Sequence, residues 1–183
     1  ADQGCDISLC VVFVFVMIRR PPRSTPFPST TLFRSVGRHA LDMLAVLARE
    51  KAGPFGILAD SSSFQEKYAH AEAQYRAARA LVYSVWNDLD ETLLNEEPPT
   101  NEQIALIKLA FRYSHDVMSE ITTFAYKGGG GVALRTGPLQ RAYRDLHAGL
   151  QHVLLSDQIV QDCGKVLMGH APEGATMQLL GLH

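Results

Sequence analysis

A chain of 183 residues, 46% hydrophobic and 20% charged, carries enough apolar material for one globular domain with a real core. Its formal net charge of −2, with no basic stripe, gives no electrostatic basis for binding nucleic acid. Cys5, Cys10 and Cys163 form neither a CxxC pair nor a metal-ligand spacing, which fits a reducing, cytoplasmic setting with Cys163 as a small core residue.

Residues 1–35 read differently from the remainder. The apolar run from Ile7 to Ile18 is too short to span a bilayer comfortably, so no membrane partner is expected. Its basic pair, Arg19-Arg20, follows the run instead of preceding it, and no small-residue cleavage site comes next, so it is not a signal peptide. Met17 to Ser35, MIRRPPRSTPFPSTTLFRS, resembles the conceptual translation of a short-read sequencing adapter, MIRRPPRSTLFPYTTLFRS, departing only at Pro26 and Ser29. Residues 1–35 are therefore expected to be non-native, and residues 36–183 to form the domain.

From Val36 onward the periodicity is helical, with no convincing alternation of a strand. A first helix is predicted over about 36–52, with Leu41, Leu44, Leu47 and Ala48 on one face and Gly53-Pro54 ending it. A second is predicted over about 63–94, where Phe64, Tyr68, Ala71, Tyr75, Ala78, Val82, Val85 and Leu89 keep a sustained apolar stripe. Ser61 to Ser63 are its candidate N-caps. A third is predicted over about 101–127. Thr100 and Gln103 have capping-box spacing at its start, and the glycines 128–131 stop it. A fourth starts at Pro138, with Leu139, Tyr143, Leu146, Leu150 and Val153 inward, and a fifth over about 157–168 follows a Ser156 cap. The expected fold class is all-α, an up-down helical bundle. Glu66 and Glu72 read as solvent-facing charge, and Asp88 to Glu97 as a solvated helix end.

The chemistry is narrow. There is no Gly-x-Ser-x-Gly elbow and no GxxxxGK[ST] loop. His147 and His152 are spaced five apart, where a zinc pair on a helix wants four, and the Glu-x-x-His motifs of a di-iron bundle are missing; no metal is expected. What stands out is Lys127 to His152, where four glycines precede a Pro-started helix bearing two histidines. Glycines let backbone N–H groups approach phosphates, and histidine does proton chemistry near neutral pH; a flexible turn before an ordinary amphipathic helix is the equally open alternative.

The order of these residues resembles the C-terminal helical domain of acyl-CoA dehydrogenase-like flavoproteins. The closer likeness is to the type 2 branch, which holds two-component flavin-dependent monooxygenases. The resemblance rests on Gly37 to Lys51 followed by Pro54-Phe55-Gly56, on Ala71-Glu72-Ala73 and Arg76-Ala77-Ala78-Arg79, on the glycine run, and on Arg144-Asp145-x-His147-x-x-x-x-His152. It implies a flavin cofactor, FAD or FMN, met by Gly128, Gly129, Gly130, Gly131 and Phe55 from one subunit of a homo-oligomer, a tetramer in the intact protein. His152 is implied as the catalytic residue facing the flavin. The implied reaction is monooxygenation of an aromatic or heteroaromatic small molecule with O2 and reduced flavin from a separate reductase. Dehydrogenases of the family place a proton-abstracting glutamate where this chain has Val153, which weakens acyl-thioester oxidation as the alternative. Arg144 and Asp145 are expected to pair across helices or subunits. The family's preceding domains hold much of the flavin site, so this chain is expected to be inactive alone, and a non-catalytic assembly bundle is the alternative of another class.

Overall fold

A computed structural model of the chain describes residues 28–53, 56–149, 151, 155–178 and 180–183, with side chains described from Ser35 onward. The elements run α1 (Pro28–Glu50), β1 (Ala52–Gly53), β2 (Gly56–Ile57), α2 (Ser62–Leu94), α3 (Asn101–Gly129), α4 (Pro138–Gly149), α5 (Asp157–Leu167), β3 (Met177–Gln178) and β4 (Gly181–Leu182). The architecture is the all-α bundle that the stripes predict. Two antiparallel hairpins, β1–β2 and β3–β4, are too short to leave any alternation in the sequence.

The long helix α3 is the spine, packing against α1, α2, α4 and α5. Its start is fixed as expected: the Thr100 hydroxyl accepts from the Gln103 N–H at 3.1 Å, and the Gln103 side chain accepts from the Thr100 N–H at 3.0 Å. Ser61 and Ser156 occupy N-cap positions, but neither side chain makes the capping bond expected of it. At Ser61 the carbonyl accepts from the Phe64 and Gln65 N–H groups instead.

The apolar stripes meet around α3. Leu41 of α1, Ala71 and Ala78 of α2, Val117, Met118 and Ile121 of α3, and Leu146 of α4 form the central cluster. Each large aliphatic side chain buried there contributes about 1.5–3 kcal/mol. Close approach of α1 and α3 depends on Gly37, where an added Cβ would lie 2.2 Å from the Met118 sulfur. At the other end of the bundle, Ala105, Ile159, Cys163 and Met177 form a separate cluster beneath β3–β4, with Cys163 fully buried as its composition suggests.

Three side chains fasten the β3–β4 hairpin. The Asn101 side chain accepts from the Met177 N–H at 2.8 Å and donates to the Ala175 carbonyl at 2.9 Å. Lys108 donates to the Gln178 carbonyl. Asp162 accepts from the Leu182 N–H at 3.3 Å and from Lys165 at 2.7 Å, and the Lys165 hydrogen bond outweighs burial in holding its carboxyl below the usual range.

Two expectations need correction. The first helix, predicted from about residue 36, begins at Pro28. Glu72 is not simply solvent-facing. It is half-buried, and Arg38 of α1 and Arg76 grip its two carboxylate oxygens at 2.5 and 2.8 Å. Glu66 is exposed, as expected.

Candidate functional site

The glycine run divides into two structural regimes. The sequence reading stops α3 before Gly128, yet the helix continues through Gly128 and Gly129. Both are there because space is short. A Cβ on Gly128 would sit 2.8 Å from the Leu44 side chain, and one on Gly129 would sit 2.8 Å from Ala133 and 3.0 Å from Leu139. Their N–H groups lie within the helical ladder, so these two residues serve packing against α1 and α4.

Gly130 breaks the helix with φ of 54°, a conformation that glycine adopts without the Cβ penalty. Its N–H caps the helix by donating to the Lys127 carbonyl, and its carbonyl accepts from the Ala133 and Leu134 N–H groups at 3.0 and 3.3 Å. Gly131 is exposed, and nothing lies within 4 Å of where its Cβ would be. The open backbone is thus confined to Gly131.

This turn lies at a helix C-terminus, whose carbonyls carry partial negative charge. A cation from another element meets them. The Lys51 ammonium, just past α1, donates to the Gly128 and Gly129 carbonyls, each at 3.2 Å. Lys51 was missed by sequence reasoning. Its partners are more than seventy positions away, and the only available clue was the general preference of helix C-termini for cations.

His147 lies on α4, facing α3. Its Nδ1 is 2.8 Å from the Tyr143 carbonyl, which only accepts, so the neutral ring carries its proton there. Nε2 then accepts from Ser119 Oγ at 3.2 Å, with Thr123 Oγ1 at 3.4 Å. The ring packs on Tyr143, centroids 4.1 Å apart, and Tyr143 stacks on Tyr126 at 4.6 Å. His147 therefore works as a link between α3 and α4. Arg144 and Asp145 are exposed and pair with each other at 3.1 Å, and among the described residues neither bridges to another helix. Phe55, Leu150, His152 and Val153 lie outside the described residues. Among the described residues no cluster of three or more His, Cys, Asp or Glu is arranged to hold a metal ion, and no helix is long and apolar enough to cross a membrane.

A family model described as acyl-CoA dehydrogenase, C-terminal domain, matches residues 36–157. The chain belongs to this family. An indole-3-acetate monooxygenase of Acinetobacter baumannii is 28% identical over 144 residues, covering 75% of this chain and 36% of that protein. Among solved structures, XiaF from Streptomyces sp., in complex with FADH2 and glycerol, superposes with a TM-score of 0.72, covering 81% of this chain and 39% of that one. At 16% identity this second likeness bears on the fold alone, an all-α bundle. The chain spans little more than a third of the length of either relative.

Proposed function

We propose that this chain is the C-terminal helical part of a flavin-dependent oxidoreductase that, in its complete form, oxygenates an aromatic or heteroaromatic small molecule using reduced flavin and O2. The likeness to an indole-3-acetate monooxygenase over 144 residues carries this reading. Val153 supports it, because a valine at the position of the dehydrogenase base cannot accept a proton. The complete protein is a cytoplasmic homotetramer served by a separate flavin reductase, and the cofactor is FAD or FMN.

The residues fit a flavin in part. Gly131 offers an exposed stretch of backbone without a side chain, and Lys51 offsets the carbonyl charge that otherwise repels a phosphate. This suits the extended polar portion of a cofactor held chiefly by other parts of the assembly. Bound flavin supplies the activation of O2. Phe55 borders it, and His152 holds and moves protons at the substrate.

Two measurements test the reading. Gel filtration of this chain after mixing with FAD or FMN is expected to leave no flavin absorbance in the protein peak; co-elution refutes the idea that the chain supplies only part of the site. In the complete protein, His152→Ala is expected to abolish product formation while leaving the tetramer intact. Unchanged turnover removes His152 from the mechanism.

A further inference from the structure

We infer that Lys51 is a positioning residue that locks the glycine turn and the β1–β2 hairpin into one unit. Each half of this coupling uses a different part of the lysine. The side chain reaches the end of α3, bridging the Gly128 and Gly129 carbonyls at 3.2 Å each. The backbone closes the hairpin: the Lys51 carbonyl accepts from the Leu58 N–H at 3.2 Å, just outside the Ala52–Ile57 pair. The Lys51 N–H in turn donates to the Leu47 carbonyl at 2.8 Å, continuing the bonding of α1. One residue thus joins α1, the hairpin and the end of α3.

The fit around the ammonium is tight. A Cβ on Gly130 would lie 2.7 Å from Lys51 Nζ, so the ammonium occupies the space that a side chain at Gly130 would need. Elsewhere a two-residue-stranded hairpin has little stability of its own. Here one flank is anchored by a charge-assisted contact to a long helix, and such bonds are roughly twice as strong as neutral ones. Phe55 falls in the sequence between the two strands, so the segments that bear the expected flavin contacts are tied to one lysine. The functional use of this coupling rests on the flavin reading above, while its existence does not.

The test uses this chain, at 20.1 kDa small enough for residue-resolved amide exchange by NMR. Lys51→Met keeps the aliphatic stem and removes the ammonium. It is expected to speed exchange about tenfold or more at Gly130, Ala133 and Leu134, and at Ile57 and Leu58, while Met118 and Ile121 in the core keep their protection. Lys51→Arg, which retains a cation able to reach carbonyls, is expected to restore protection at both segments. Faster exchange at the α3 end alone reduces Lys51 to a helix cap and overturns the coupling, as does unchanged exchange at both. Loss of core protection in Lys51→Met with no recovery in Lys51→Arg overturns it as well. If the coupling holds while the complete protein retains no flavin, the functional reading fails and the positioning role stands.

Discussion

Gly37 offers the sharpest energetic test of how α1 meets α3. Gly37→Ala raises helix propensity by about 1 kcal/mol, so an isolated helix gains from it. In the bundle the new methyl carbon would stand 2.2 Å from Met118 Sδ and 3.3 Å from its Cγ. Ordinary contact needs roughly 3.5–4.0 Å, an overlap of about 1.5 Å on the sulfur. Met118 is fully buried, so relief of the overlap requires its side chain to repack within the core or α1 to shift away from α3. Overpacking of this kind costs typically 1–3 kcal/mol, and an overlap this deep belongs at the upper end. The expected balance is a net loss of about 2 kcal/mol, or a fall in Tm of about 4–8 °C. Urea unfolding followed by far-ultraviolet circular dichroism reads it directly. Met118→Ala alone opens a cavity costing about 2–5 kcal/mol. Combined with Gly37→Ala, part of that cavity is filled by the methyl added on α1, so the double variant loses less than the sum of the two single losses. A Gly37→Ala protein as stable as the parent, or strict additivity with Met118→Ala, refutes the packing argument.

Two further perturbations probe polar contacts. Hydrogen bonding from Arg38, opposed by burial and reinforced by Arg76, holds the Glu72 carboxyl below its ordinary range. Its contribution is complete above the unfolded value of about 4.3 and is lost as pH falls through the lower folded value. Glu72→Gln is therefore expected to cost about 1 kcal/mol at pH 7 and progressively less as pH drops below about 4; a pH-independent deficit contradicts the ion-pair account. Asp162→Ala removes the acceptor of the Leu182 N–H and the partner of Lys165, and is expected to cost about 1–3 kcal/mol. Amide exchange at Leu182 and Met177 should quicken well before that of α2, and equal rates in parent and variant count against the tether.

What could be read from the sequence was what repeats locally. The stripe from Phe64 to Leu89 points inward, the Thr100–Gln103 box closes, and Pro138 opens α4, because each depends on neighbours within a turn or two. The family, too, was legible from the order of short motifs. What escaped depends on distant partners. Nothing near Glu72 announces Arg38, and nothing near Lys51 announces Gly128. The glycine run misled for a related reason. Four identical letters suggest one loop, but the first pair is helical and packed on Leu44 and Leu139 from other helices, Gly130 turns the chain, and only Gly131 is open.

The bridge between Lys51 and Gly128 spans 77 positions, and the Gly37–Met118 contact is of similar reach. A ribosome adding roughly 5–20 residues per second needs about 4–15 s to cover that distance. For that interval Leu41 and Leu44 lack the part of their covering surface that α3 supplies. The hairpin of α2 and α3 forms from consecutive helices, whereas α1 must wait for its partner. During synthesis α1 therefore passes through a window in which part of its apolar face is uncovered, and its binding to the completed spine closes that window.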